Sequence, residues 1–114
     1  MIGALNLSPS CVKTLSAVEA LPSSSNQHEL NGVSELKNIL GLDRKTFNVK
    51  FSLRGKDGYV ESRVTWYDAR ENHVSRSEYR LYFQTNTVMS MAREGSTLVF
   101  GIGRDNQFWA ELIL

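Results

Sequence analysis

The sequence predicts a single, mainly β domain, a barrel or sandwich of six short strands with two short helices. Apolar and polar residues alternate in several short segments, and turn-forming residues recur about every ten positions. The length of 114 residues matches one domain of roughly 100–150 residues. The hydrophobic content of 41% excludes a disordered chain, and two prolines and eight glycines exclude a fibrous or low-complexity one.

The first third of the chain predicts a strand, a loop and a helix. The run from Cys11 to Val18 is apolar with polar breaks, which favours a strand. The polar segment 21–28 predicts a flexible loop. Ser34 is a suitable N-cap and Gly41 a suitable stop for a helix of about two turns, whose apolar residues share one face.

A hairpin is predicted next. Residues 47–53 alternate strictly between apolar and polar side chains, and in residues 59–67 Val60, Ser62, Val64 and Trp66 alternate with Tyr59, Glu61, Arg63, Thr65 and Tyr67. The segment 54–58 between them contains two glycines and reads as a turn. Aromatic residues at apolar positions of the predicted strands are interpreted as core rather than as a platform for stacking bases. These residues are Phe47, Phe51, Trp66, Phe83 and Trp109.

The remaining elements follow the same logic. A polar stretch, 68–77, leads into an alternating strand at 79–83. Asn86 or Thr87 can cap a short helix that ends before Gly95. Two further strands, 97–101 and 108–114, are separated by a turn. The last strand is apolar up to Leu114, which predicts a chain cut from a longer protein.

The cysteine content and the amino-terminal residues indicate the cellular location of the protein. Cys11 is the only cysteine, so neither an intrachain disulfide nor a cysteine-based zinc site can form, which favours a reducing, cytoplasmic location. Residues 1–10 do not resemble a signal peptide. The sequence contains no apolar run of about 18 residues, so no membrane span is predicted. His28, His73 and Cys11 have no metal-ligand spacing, and no cofactor is predicted.

The charge of the chain is unevenly distributed. The net charge is only +1, which argues against a histone-like DNA coat. Residues 1–43 carry two bases and four acids, and residues 81–114 carry two bases and three acids. Residues 44–80 carry nine bases, six of them arginine, and five acids, a local net charge of +4. This local excess indicates either a phosphate-binding surface or a solvated sheet face with cross-strand ion pairs.

The segment 70–80 concentrates the groups that read base edges. It contains three arginines, two glutamates, one histidine and one asparagine. Arginine can donate to guanine O6 and N7, glutamate can accept from cytosine N4, and asparagine can pair with adenine. The mixture of donors and acceptors favours base recognition over simple attraction to phosphates.

Three segments carry a resemblance to a known family. Residues 66–70 and 75–81, together with the passage 91–99, are similar to the amino-terminal effector domain of EcoRII-type restriction endonucleases. The resemblance extends from about Lys13 to Ile113. It implies an open β-pseudobarrel of about six to seven strands with two short helices, in which two arms grip double-stranded DNA from the major-groove side.

The resemblance places Arg76, Glu78 and Arg80 of one arm at bases or adjoining phosphates, and makes the loop 23–28 the other arm. Tyr79 stands where a prominent family member has a lysine. Basic residues of the positively charged segment 44–80, among them Lys56, could add contacts to phosphates. The full predicted DNA-binding set is Ser25, Asn26, Gln27, His28, Lys50, Arg63, Arg70, His73, Arg76, Glu78, Tyr79 and Arg80.

The predicted function is therefore sequence-specific binding of double-stranded DNA, at a CC(A/T)GG-like site, by residues 1–114 as the recognition or effector domain of a type II restriction endonuclease. The chain is predicted not to be an enzyme by itself and to work with a catalytic nuclease domain in the same full-length chain. The alternative is a protein-interaction or autoinhibitory module with an incidental basic patch, in which the apolar last strand is a docking edge. A complete small nuclease is a third possibility, since Glu35-Leu36-Lys37 has the Glu-x-Lys spelling. However, those centres need a preceding Asp, none lies before Glu35, and the tripeptide falls on a predicted helix.

Overall fold

The computed structural model describes residues 7–22, 26–72 and 76–114. Its seven strands form one mixed sheet that curls into a half-barrel, with two short α-helices, which confirms the predicted fold class. The strands are β1 (Ser10–Thr14), β2 (Gln27–Leu30), β3 (Lys45–Leu53), β4 (Val60–Asp68), β5 (Tyr79–Gln84), β6 (Thr97–Ile102) and β7 (Phe108–Ile113). The helices are α1 (Ala17–Ala20) and α2 (Lys37–Leu40), and 3₁₀ turns span Ser34–Leu36 and Met89–Met91.

The strand order is β1-β6-β7-β3-β4-β5-β2. The predicted hairpin is confirmed, because β3 and β4 pair antiparallel with Phe47 opposite Val64. β3 and β7 pair in parallel, and this pairing joins the two halves of the sheet. β7 has β6 on one side and β3 on the other, so both of its backbone edges are used. The expectation that the last strand is a docking edge is therefore wrong.

The core occupies the inner face of the sheet, as strand alternation requires. Trp66 and Val49 are fully buried there, and Phe51 packs on Phe83 with ring centroids 4.9 Å apart. The indole N–H of Trp66 donates to the carbonyl of Gly41 at 3.0 Å, so the buried polar group is satisfied. This bond also fixes the end of α2 against β4.

Two elements in the first third differ from the prediction. The first strand ends at Thr14, because Ser16 starts α1 with a capping box. Its side chain accepts from the Glu19 backbone N–H at 3.2 Å, and the Glu19 carboxylate accepts from the Ser16 N–H at 3.0 Å. The predicted loop 21–28 is shorter than expected, since β2 already begins at Gln27.

The predicted helices are shorter and tighter than expected. Val33, not Ser34, precedes the first turn, which is 3₁₀ before it becomes α2, and Gly41 ends the helix at a φ of 81°. The Asn86 side chain caps the second predicted helix by accepting from two backbone N–H groups, but this element is a single 3₁₀ turn. No helix in the described ranges is long and apolar enough to cross a membrane.

Candidate nucleic-acid interface

The sheet face opposite the core, across β2, β5, β4 and β3, is polar. We call this surface the outer face. Its side chains alternate with core residues and are half-buried or exposed. They are Gln27, Glu29, Thr46, Asn48, Lys50, Glu61, Arg63, Thr65, Tyr67, Arg80, Tyr82 and Gln84. Hydroxyls, amides and arginines make up most of this set, so the surface can both donate and accept hydrogen bonds.

Two loops border the outer face at opposite ends of one strand pair. β2 and β5 run antiparallel, with Gln27 opposite Gln84 and Leu30 opposite Leu81. The loop before β2 therefore lies at one end of the pair, and the loop between β4 and β5 lies at the other. These are the two predicted arms, separated by the six residues of β5, or about 20 Å at the rise of a strand. Two predicted arm residues, Ser25 and His73, lie outside the described residues.

Arg80 on β5 lies between two carboxylates on the outer face. Its Nη1 donates to Glu29 Oε1 at 2.5 Å, and its Nε donates to Glu78 Oε2 at 2.8 Å, with Nη2 bonding the same oxygen. Tyr67 on the neighbouring strand donates its hydroxyl to Glu29 Oε2 at 3.2 Å. The bonds to Glu78 and then to Glu29 raise the pKa of Arg80, so the group stays cationic.

Arg70 and Arg44 extend this positive charge along the edge of the sheet. The Nε of Arg70 lies 3.7 Å from Glu78 Oε1, and the guanidinium of Arg44 lies 5.4 Å from the centre of the Tyr67 ring. Both arginines are exposed and line a surface hollow of about 410 Å³ with Tyr67, Asp68 and the start of the loop. Arg44 was not among the predicted contacts. That Arg44 lies beside Tyr67 follows only from the strand register, in which Lys45 pairs with Trp66.

Asp68 closes the base of the β4–β5 loop. Its Oδ1 accepts from the backbone N–H of Glu78 at 2.7 Å and from that of Arg70 at 2.9 Å. The N–H of Ala69 also donates to the carbonyl of Glu78 at 2.7 Å. The bond from Glu78 is the main reason that the pKa of Asp68 is lowered, with desolvation opposing it and the Arg70 N–H adding to it. The loop that carries Arg70, Arg76 and Glu78 is thus held at its base.

A second hollow of about 410 Å³ lies in the middle of the outer face. Its walls include Thr46 and Thr65, whose hydroxyls are 3.3 Å apart, together with Tyr82 and Gln84. Arg63 is exposed at its rim and makes no ion pair with any residue in the described ranges. Neutral hydrogen-bonding groups next to an available guanidinium suit a polar, charged ligand.

The predicted arm contact at His28 is corrected by the structure. His28 is fully buried, because β2 begins at Gln27 and alternation turns the next side chain inward, opposite Phe83. Its Nδ1–H donates to the carbonyl of Glu19 at 3.0 Å, and its Nε2 lies 2.9 Å from the Thr85 hydroxyl. His28 is therefore a hydrogen-bonded core residue. Asn26 is exposed at a φ of 60°, and Gln27 lies on the outer face.

Tyr79 faces away from Arg80, because the two are neighbours on one strand. Its ring stacks on Trp66 at 4.9 Å, its hydroxyl donates to the Leu42 carbonyl at 2.9 Å, and the Lys37 ammonium lies 5.2 Å from the ring centre. β5 begins at Tyr79, so Arg76 and Glu78 belong to the loop before it rather than to the strand. Glu78 still meets Arg80, and Arg76 is exposed.

Lys50 lies at the opposite end of the outer face. Its ammonium is 3.0 Å from Asp105 Oδ2 and lies about 5 Å from the centres of the Tyr59 and Trp109 rings. The Trp109 indole N–H donates to the same carboxylate at 3.0 Å. Lys50, which was predicted to contact a phosphate, is thus already surrounded by groups of the protein itself. Lys56, in contrast, is exposed in the nearby turn.

The Glu35-Leu36-Lys37 tripeptide lies on the 3₁₀ turn and the start of α2, with Leu36 buried. The described residues contain no group of three or more His, Cys, Asp or Glu side chains that could hold a metal ion. The chain matches no family model, and neither a curated protein nor a solved structure matches it. The relation to EcoRII-type effector domains therefore stays a prediction from the motifs in residues 66–81 and 91–99.

Proposed function

We propose that this chain binds double-stranded DNA sequence-specifically, as the recognition or effector domain of a type II restriction endonuclease. The observation that carries the proposal is the outer face itself, on which arginines and neutral hydrogen-bonding groups lie between the two loops that the motifs predict to be DNA-gripping arms. Arg80 and Arg63 are on this face, and Arg44, Arg70 and Arg76 are at its β4–β5 loop end.

The chemistry of the outer face suits the major groove. The groove is about 12 Å wide and displays donors, acceptors and the thymine methyl group. The two loops lie at opposite ends of β5, about 20 Å apart at the rise of a strand, so they can straddle the groove and reach base edges from both sides while the sheet faces it. Arginines supply bidentate donors to guanine, and the Gln27 and Gln84 amides can both donate and accept.

The low net charge supports selective rather than general binding. Nonspecific affinity grows with the number of phosphates that a protein neutralises. On the outer face Arg80 and Lys50 already have carboxylate partners, which leaves a limited number of cations for phosphates. We also propose that the protein is cytoplasmic, that this domain catalyses no reaction, and that a nuclease domain in the same full-length chain cleaves the DNA.

A gel-shift titration tests the proposal. The protein is mixed with a duplex that contains CC(A/T)GG or with a scrambled duplex of the same composition, across a series of salt concentrations. We expect tighter binding to one sequence that persists at higher salt, because base contacts depend less on counterion release than phosphate contacts do. Selection from a random-sequence library finds the preferred site if CC(A/T)GG is not preferred.

Other outcomes contradict parts of the proposal. Equal affinity for every sequence reduces the outer face to a general basic surface, and no binding to any duplex removes DNA as the ligand. Product strands that appear when Mg²⁺ is added contradict the statement that this domain lacks activity of its own.

A further inference from the structure

Arg80 cannot contact DNA with both edges of its guanidinium as it stands in the free protein. The group has five N–H donors, and each of its three nitrogens already donates to a carboxylate. The edge formed by Nε and Nη2 bonds Glu78, and Nη1 bonds Glu29. One N–H group on each Nη is left over. A guanine that takes these two places an acceptor beside the Glu29 carboxylate at Nη1, and a guanine at the Nε–Nη2 edge displaces Glu78, so a bidentate contact competes with one of the two carboxylates.

The two carboxylates are not equally displaceable. Glu78 bonds two nitrogens of Arg80, and its backbone N–H is anchored to Asp68 at 2.7 Å. Glu29 bonds a single nitrogen and comes from β2, a different strand. Its other oxygen accepts the Tyr67 hydroxyl, and its side chain is 38% exposed. Glu29 is therefore the partner that a ligand would replace.

We propose that Glu29 is a specificity-determining residue, which occupies the Nη1 edge of Arg80 until a matched base takes its place. This inference rests on the proposed function. A guanine that presents O6 and N7 replaces the lost bond with two. A phosphate on random DNA gains one contact with Arg80 but must approach the displaced carboxylate, and like charges in proximity are penalised.

The surrounding charges define the expected effect of removing Glu29. Arg80, Arg70 and Arg44 contribute three positive charges at this end of the outer face. Glu29, Glu78, Asp68 and Glu71 contribute four negative charges, of which Glu29 lies at Nη1 of Arg80. Without the Glu29 charge, this end of the outer face becomes more positive by one charge, so nonspecific binding should rise.

The test compares Glu29→Gln with Glu94→Gln. Glu94 is exposed in the turn before β6 and does not belong to the outer face. Both variants lose one negative charge. Affinity for a mixed-sequence duplex is measured by fluorescence anisotropy at several KCl concentrations. We expect Glu29→Gln to bind about three- to tenfold tighter than wild type, with a salt dependence steeper by about one phosphate contact, and Glu94→Gln to stay within about twofold of wild type.

Equal affinities of the two variants overturn the inference while the wild-type protein still binds DNA. No binding by any of the three proteins speaks against the proposed function instead. Thermal unfolding checks that Glu29→Gln is folded. If it is not, Glu29→Met replaces it, since methionine removes the charge and keeps the length of the side chain. Tighter nonspecific binding by the methionine variant supports the inference, and wild-type affinity overturns it.

Discussion

The outer face has a cation at each end, and the two are held in different ways. Arg80 lies between the carboxylates of Glu29 and Glu78, beside a second arginine. Lys50 lies between one carboxylate and two aromatic rings, in contact with Asp105, Tyr59 and Trp109. Both residues alternate with core positions, so the sequence pattern does not distinguish them. The groups that surround each side chain in the structure do.

The difference indicates which end of the outer face is available to a ligand. The hydrogen bond that Lys50 donates to Asp105 is the main reason that the pKa of Lys50 is raised, and the Lys50 side chain is only 19% exposed. This end is closed, because the ammonium connects β3 to the turn before β7. At the other end the guanidinium retains N–H donors and is surrounded by further arginines, so we interpret it as the ligand-binding end.

The largest expected effect is on DNA affinity, which should depend on the Arg80 end of the outer face much more than on the Lys50 end. Arg80→Ala should weaken binding to the preferred duplex by about 1–3 kcal/mol and relax the discrimination at one base position. Lys50→Ala should change the same affinity by less than about twofold, because its ammonium already has partners within the protein. Anisotropy titrations with the preferred and scrambled duplexes measure both. A larger loss for the lysine variant would reverse the assignment of the two ends.

The next effect concerns stability. Lys50→Met removes the ion pair with Asp105 and the contacts with both rings while retaining an apolar stem. We expect the midpoint of thermal unfolding to fall by a few degrees. Asp105→Asn should lower it as well, and the double variant should lose less than the two single losses together, because the residues share one interaction. Additive losses would show that Lys50 and Asp105 act independently.

A smaller effect is expected where the outer face has exposed arginines. Arg63→Gln and Arg44→Gln should each weaken DNA binding a few-fold on all sequences and reduce the salt dependence by about one phosphate contact. Arg104→Gln is the matched control, since Arg104 is exposed in the turn before β7. An equal loss for the control would mean that only the net charge matters.

The smallest effect is on pH dependence. Asp68 has a pKa below its ordinary value of 3.8, chiefly because the Glu78 N–H donates to it. A lowered pKa in the folded state means that the contribution is complete above the unfolded pKa and is lost as the pH falls through the folded value. The protection of the Glu78 and Arg70 amides against exchange, relative to the intrinsic rate at each pH, should therefore fall below about pH 4 in the wild-type protein. Asp68→Asn should show lowered protection at these two amides at neutral pH and no further loss in acid.

Local patterns in the sequence predicted most of the fold. Alternation and a glycine-containing turn identified the β3–β4 hairpin, and Asn86 was correctly expected to cap a helical turn. β2 was missed because four residues that begin with polar side chains resemble a loop. The place of β7 was missed for a different reason. Its parallel pairing with β3 joins residues about sixty positions apart, and local patterns carry no information about such partners.

The candidate site was less predictable, because it depends on strand register. The motif around Arg76 and Arg80 drew attention to the correct loop, but Glu29 and Arg44 enter the site only through pairings with other strands. His28 was placed in an arm because the resemblance makes the loop 23–28 an arm, but the side chain is buried. A one-residue difference in where β2 begins decides whether that side chain faces a ligand or the core.

The pairing of β1 with β6 also has a consequence for how the protein acquires its structure during synthesis. β1 leaves the ribosome before the other strands of this domain, yet its partner is residues 97–102. Until those residues emerge, one edge of β3 has no neighbour either, since β7 follows later still. A nascent chain can form the β3–β4–β5 meander with β2 early, whereas the other half must wait. Folding should therefore complete only after almost the whole domain has been translated, and slowly, as contacts between distant residues require.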